Sequence, residues 1–233
     1  MSQGTFYICG NHIGNMEDIP FRTKQVLEKV DTVITEDLDS FNNTISYLGI
    51  NKNFNIIQYE KQGNSYYVDE NKIKELLDSG IDIAYVTSFG MPQLDQINGN
   101  IITNMWKLNA NVKLVPGPTL PGVAFSFSGL SSPNGYIYYD ASNNSENDLS
   151  DFLSSIKTMK QATIILEKRS KADRAMELID TIVGDNRHAS LIVNMGLESQ
   201  TVCGGRMPFL RENLKNLGPS DFCIIIFGGV NRS

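Results

Sequence analysis

The sequence predicts an α/β protein made of two α/β domains, the first on a parallel sheet and the second on a mixed one. Three observations carry this. Short apolar runs alternate with helical periodicity along the whole 233-residue chain, the pattern of strands connected by crossover helices. Two of the strand-like runs end in loops stiffened or tightened by Gly and Pro. In the second half, two runs follow each other with no helix between them, which reads as an antiparallel pair.

Thr5–Cys9 reads as a buried strand that runs into the turn Gly10-Asn11-His12-Ile13-Gly14. Asp18 is expected to cap a helix with Pro20 in its first turn and its end near Lys29. Thr32–Thr35 is the next strand, and Phe41–Leu48 a helix stopped by Gly49. Asn55–Tyr59 is a strand candidate, followed by a helix over Val68–Ser79 with Gly80 as its stop. Ile83–Val86 is a strand, Ile97–Asn109 a helix in which Met105 and Trp106 read as packing residues, and Val112–Val115 a strand. That strand leads into Pro116-Gly117-Pro118-Thr119, and Leu120–Ser128 reads as a buried helix. Ser131-Ser132-Pro133-Asn134-Gly135 is a boundary candidate, which gives domains over 1–130 and 131–233.

The second half alternates as well. Tyr136–Tyr139 is a strand, Ala141–Asn147 an exposed loop and Asp148–Met159 a helix. Thr163–Glu167 is a strand and Lys171–Val183 a helix ended by Gly184. His188–Val193 and Gln200–Cys203 form the expected pair, Met207–Leu217 is a helix with Pro208 in its first turn, and Phe222–Phe227 is the last strand.

Composition excludes several classes. Hydrophobic residues make up 41% of the chain, enough for a core without cross-links. The three cysteines, Cys9, Cys203 and Cys223, show neither paired spacing nor a CxxC motif. They read as small buried side chains rather than as a disulfide framework or a zinc site, so no metal is expected. No apolar run is long enough for a membrane span, and a cytoplasmic protein is expected. The net charge is −6 and neither half carries a basic excess, so strong, non-specific nucleic-acid binding is not expected. A local patch would still suffice for RNA as a substrate.

In an α/β sheet, ligands bind outside the carboxyl ends of the strands. The turn after Thr5–Cys9 and the loop after Val112–Val115 both sit at such ends, so they can close on one ligand. Glu36 and Asp37 also end a strand there. Their residue types leave two readings open, a proton acceptor or a capped turn with solvated carboxylates. His12 reads either as a ligand-facing side chain or as a surface turn residue. Lys168, Arg169, Lys171 and Arg174 follow a strand end and read either as a phosphate contact or as a solvated helix start.

At this point the order of elements and their local sequences resemble the tetrapyrrole methylase superfamily. Ile13-Gly14-Asn15-Met16-Glu17-Asp18-Ile19 follows a turn of the form TPIGNLxDI, and Val30–Asp37 a strand end of the form VDxIxxED. Ala84–Pro92 matches ALVSDAGTP in outline, Val115–Thr119 a PxPGPS loop, and Ser128-Gly129-Leu130 the start of SGLP. Within the superfamily, the similarity is strongest to the bacterial small-subunit rRNA cytidine 2′-O-ribose methyltransferases.

The resemblance implies an S-adenosylmethionine-dependent methyltransferase with the cofactor in a cleft between its two domains. It implies RNA as acceptor, a homodimer, and no membrane partner; methylation of a small molecule or peptide and a catalytically degenerate binding module are the alternatives. It places cofactor contacts at His12 and Gly14, at Ser88, Phe89, Gly90 and Met91, and at Pro116, Gly117, Pro118 and Thr119, with Glu36 and Asp37 as catalytic candidates. Methyl transfer from a sulfonium depends on alignment, which can contribute about 7–11 kcal/mol in ideal cases. Rigid loops suit that task, and Gly117 is expected to let the backbone approach a ligand closely. The chain departs from the family motif at Ser88, Phe89 and Met91, where the motif has Asp, Ala and Thr, and at Asn11-His12, where it has Thr-Pro.

Overall fold

The computed structural model describes residues 2–58, 60–62, 65–92, 101–184 and 187–229. The chain divides into two compact units, Met1–Leu120 and Pro121–Ser233. The sequence alone placed the parting after residue 130.

The first unit holds β1 (Thr5–Cys9), α1 (Phe21–Lys29), β2 (Thr32–Thr35), α2 (Leu38–Leu48), β3 (Asn55–Gln58), β4 (Glu60–Gln62), β5 (Ser65–Tyr67), α3 (Glu70–Asp78), β6 (Ile83–Val86), α4 (Ile101–Lys107) and β7 (Asn111–Val115). Its main sheet has the order β3-β2-β6-β1-β7, with every neighbouring pair parallel. Strand alternation divides the apolar side chains between two faces. Phe6, Ile8, Ile34, Ile83 and Tyr85 pack with Ile73 and Leu77 of α3 and Ile101 and Met105 of α4. Cys9, Val33, Ala84, Val86 and Val115 pack with Leu27 of α1 and Phe41 of α2. A parallel sheet covered on both faces requires strands apolar throughout, which β2 and β6 are.

Three local expectations are corrected. Asp18 does not cap α1. It ends a 3₁₀ turn over Met16–Asp18 whose N-cap is Asn15, and Pro20 holds the N-cap position of α1. Asp37 extends α2 to Leu38, because its carboxylate accepts from Ser40 N at 3.0 Å. Trp106 is 63% exposed, whereas its neighbour Met105 is fully buried. The antiparallel pair β4-β5 has no apolar periodicity, so pattern alone did not mark it. The first part of the helix expected over 97–109 lies outside the described residues.

The second unit contains nearly all of α5 (Leu120–Phe127), then β8 (Tyr136–Asp140), α6 (Glu146–Ile156), β9 (Ala162–Lys168), α7 (Ala172–Val183), β10 (Ala189–Val193), β11 (Thr201–Gly205), α8 (Met207–Leu214) and β12 (Phe222–Phe227). The order β11-β10-β12-β9-β8 is mixed. β8 and β9 are parallel and the other three pairings antiparallel. One face of this sheet packs on Leu149 and Leu153 of α6, Met176 and Ile179 of α7, and Leu210 of α8. A capping box of Ser145 and Asp148 starts α6, two residues earlier than periodicity indicated. Ala141 and Ser142 are buried, so the segment before it is not the fully exposed loop expected. α5 buries Ala124 and leaves Phe127 37% exposed.

Candidate functional site

Four loops lie at the carboxyl ends of the adjacent strands β2, β6, β1 and β7 of the first unit, and together they contain the candidate cofactor contacts and the two candidate carboxylates. Two bonds join the β1 and β6 loops: Asn11 N donates to Gly90 O and Gly90 N to His12 O, both at 2.8 Å. Gly10 N donates to Val115 O at 2.9 Å and continues the β1–β7 ladder into the turn.

Beneath these loops lies a buried polar residue that sequence reasoning did not select. Asn11 is 1% exposed. Its Nδ2 donates to Thr87 O at 2.8 Å and to Thr44 Oγ1 at 3.4 Å, and its Oδ1 accepts from His12 N at 2.9 Å. One amide therefore ties the β1 turn to the end of β6 and to α2. Thr23 of α1 adds a bond from Oγ1 to Gly10 O at 2.7 Å, and Thr87 Oγ1 donates to Phe89 O at 3.1 Å. Buried polar groups need partners, and here the partners are loop carbonyls. The sequence signal was present, as an Asn inside an otherwise Gly-rich turn, but an exposed Asn in such a turn looks the same.

Gly10 and Gly117 meet backbone to backbone. A Cβ on Gly10 would lie 2.5 Å from Gly117 Cα, and one on Gly117 would lie 2.8 Å from Gly10 Cα. The close approach expected of Gly117 is therefore made to Gly10. Met91 closes the contact, with its Sδ accepting from Gly117 N at 3.2 Å. Pro116 is exposed, and Gly117, Pro118 and Thr119 are half-buried beside it.

Glu36 reaches across to the β6 loop. Its Oε1 accepts from Ser88 N at 2.7 Å and from Ser88 Oγ at 2.9 Å, while its Oε2 is buried and has no hydrogen-bond partner. Serine at the position of the motif's aspartate thus supplies donors where an aspartate would set a second carboxylate. Asp37 is exposed and caps α2.

His12 is half-buried. Gly14 N donates to its Nδ1 at 3.1 Å, so the neutral ring carries its proton on Nε2. That Nε2 is buried without a partner. Burial holds the His12 pKa below the ordinary histidine value, and the nearby charge of Asp18 opposes the shift. Gly14 itself has φ 134°, a backbone conformation that favours glycine.

The basic cluster of the second unit is occupied by internal bonds. Arg169 donates to the carbonyls of Leu214 and Leu217 at the end of α8. Lys171 donates to Asn144 O at 3.1 Å, and Arg174 pairs with Glu146 and Glu177. These contacts favour the helix-start reading over a ready phosphate patch. Cys9 and Cys223 are buried, and burial pushes both thiols up to about 12. Among the described residues, no helix is long and apolar enough to cross a membrane.

Comparison with known proteins places this geometry. The profile of the Tetrapyrrole (Corrin/Porphyrin) Methylases matches residues 5–208. The chain is similar to the ribosomal RNA small subunit methyltransferase I of Mycoplasmopsis pulmonis, 30% identical over 131 residues, 56% of this chain and 57% of that relative. It is 25% identical to the Thermotoga maritima protein of the same name over 78% of this chain and 79% of the relative. With the Escherichia coli O157:H7 protein of that name it is 25% identical over 87% of this chain and 69% of the relative. In fold it resembles the uroporphyrin-III C-methyltransferase of Thermus thermophilus, with a TM-score of 0.62, 16% identity, and 97% and 94% of the two chains covered. The chain belongs to the tetrapyrrole (corrin/porphyrin) methylases, a family of methyltransferases that use S-adenosylmethionine.

Proposed function

We propose that this chain methylates a ribose hydroxyl of small-subunit ribosomal RNA. The observation that carries this reading is the Glu36 carboxylate. One of its oxygens is held by both donors of Ser88 and the other is left without a partner. The names of the relatives supply the acceptor class.

The residues present fit the family's methyl donor. It is a cationic nucleoside, and the loops would offer it a carboxylate and a buried imidazole donor, on a framework where Gly10 and Gly117 hold the β1 and β7 loops together. S-adenosylmethionine supplies an electrophilic methyl group on a sulfonium. His12, Gly14, Ser88–Met91 and Pro116–Thr119 would hold and orient it, and the bonds among these loops give the rigidity that alignment needs. A ribose hydroxyl is a poor nucleophile, and a positioned base assists it. Glu36 Oε2 would accept the proton that the hydroxyl gives up. Asp37 orders the segment beside Glu36 by capping α2.

A second reading, methylation of a small molecule or peptide, is favoured by the net charge of −6 and by the internal engagement of the basic cluster. Calorimetry with S-adenosylhomocysteine tests the site, and transfer of labelled methyl to small ribosomal subunits tests the acceptor. Micromolar binding with label in RNA supports the proposal. Binding with no RNA labelling moves the acceptor to the second reading, and absence of binding at millimolar ligand overturns both. The resemblance also implies a cytoplasmic homodimer, and sedimentation as a monomer at high micromolar concentration would overturn the dimer.

A further inference from the structure

The loop that follows β7 has little main chain by which it can be held. Proline has no N–H, so within Pro116-Gly117-Pro118 the one backbone donor is Gly117 N. Gly117 is half-buried, and its donor goes to a side chain of another loop, the thioether of Met91, at 3.2 Å.

Met91 is itself braced on two sides. Its sulfur lies where a side chain on residue 10 would stand, since a Cβ on Gly10 would fall 2.7 Å from Sδ. It also packs against the apolar cluster that includes Phe6, Ile8 and Met105. Gly10 is fixed in turn, by its N–H on Val115 O and by Thr23 Oγ1 on its carbonyl. One thioether therefore links the β7 loop, the β1 turn and the apolar core. The family motif has threonine where this chain has Met91. A threonine oxygen sits one bond nearer its Cβ than this sulfur does, so the thioether reaches farther.

We propose that Met91 is a positioning residue: through its bond to Gly117 N it sets the β7 loop against the β1 turn and so fixes the shape of the site for the methyl donor. The inference rests on the reading of these loops as the cofactor site, and it adds a side chain that acts through Gly117. A thioether is a weak acceptor, so the effect is that of about one neutral hydrogen bond at most.

Wild type, Met91→Leu, Met91→Thr and Met91→Gln are titrated calorimetrically with S-adenosylhomocysteine. Their melting temperatures are measured, and exchange of the Gly117 amide hydrogen is followed by NMR in the ligand-free proteins. Leucine keeps the volume and removes the acceptor. Threonine is the motif's residue and shortens the side chain. Glutamine keeps the reach and offers an amide oxygen.

The leucine and threonine variants are expected to bind S-adenosylhomocysteine about fivefold more weakly, the weight of one neutral hydrogen bond. Their Gly117 amides are expected to exchange faster than in wild type, at melting temperatures close to it. Glutamine is expected to restore both affinity and slow exchange. A purely structural role would lower the melting temperature and leave the affinity of the folded protein unchanged, and that result overturns the proposal. Affinity that does not follow Gly117 exchange across the variants overturns it as well, since Met91 would then act on the ligand directly or not at all. Failure of wild type to bind S-adenosylhomocysteine overturns the proposed function instead, and Gly117 exchange in the variants then shows on its own whether the thioether holds the loop.

Discussion

Gly10 and Gly117 touch with no side chain between them, and a Cβ built on either would fall within 3 Å of the other's Cα. The atoms in the way are backbone, which cannot rotate aside. The contact ties the loop after β1 to the loop after β7, and it sets how closely the two can approach a common ligand.

Gly10→Ala is therefore expected to destabilise the first unit by about 1–3 kcal/mol, the usual cost of overpacking. Gly117→Val adds a branched side chain at the same contact and is expected to cost at least as much. Chemical denaturation measures both. Wild-type stability in either variant would show that the loops part without cost.

Asn11 joins three segments through one amide. Asn11→Ala leaves Thr87 O and His12 N without their partner, a loss of about 1–3 kcal/mol. Asn11→Asp sets a carboxylate oxygen against Thr87 O and is expected to be the more damaging of the two, although it is nearly isosteric. A denaturation midpoint for Asn11→Asp above that of Asn11→Ala would contradict the bonding described.

Ser88→Asp restores the acid of the family motif. It removes the hydroxyl that donates to Glu36 Oε1 and brings a second carboxylate within reach of the first. Like charges raise the folded-state pKa of one member of such a pair. An acid with a raised folded pKa binds more protons folded than unfolded, so stability falls as pH rises through the carboxylate range. The melting temperature of Ser88→Asp should thus fall further below that of wild type at pH 7.5 than at pH 4.5. An equal deficit at both values would show that the carboxylates do not meet.

His12 makes the turn sensitive to acid. Burial lowers its pKa below 6.5 against the opposing charge of Asp18, and Nδ1 must stay unprotonated to accept from Gly14 N. The unfolded chain therefore binds the proton first. The contribution of His12 to stability is complete above pH 6.5 and declines as pH falls from there to the folded-state pKa. Affinity for S-adenosylhomocysteine should show the same inflection, and His12→Asn should remove it. An unchanged profile in that variant would assign the inflection to another group.

The loops at the strand ends were legible in the sequence because their signals are local. Gly14 and the two prolines flanking Gly117 mark loops by their own backbone limits, whereas Asp37 as the cap of α2 emerged only with the structure, since its residue type fits a proton acceptor as well. Trp106 was misread because helical periodicity does not say which residue of an apolar pair faces the sheet. Asn11 was missed because a buried amide and an exposed one have the same letter. Its partners, Thr44 and Thr87, lie 33 and 76 residues away.

The sequence by itself determined the elements, the two α/β units and the presence of ligand-type loops at strand ends, since apolar periodicity and the backbone limits of Gly and Pro act over a few residues. Only the tertiary structure decided which loops meet. β6 inserts between β2 and β1, an order that periodicity within each strand does not encode because the neighbours are distant in sequence. That order brings Ser88 to Glu36 across 52 residues, seats Gly10 on Gly117, and leaves His12 Nε2 and Glu36 Oε2 buried without a hydrogen-bond partner.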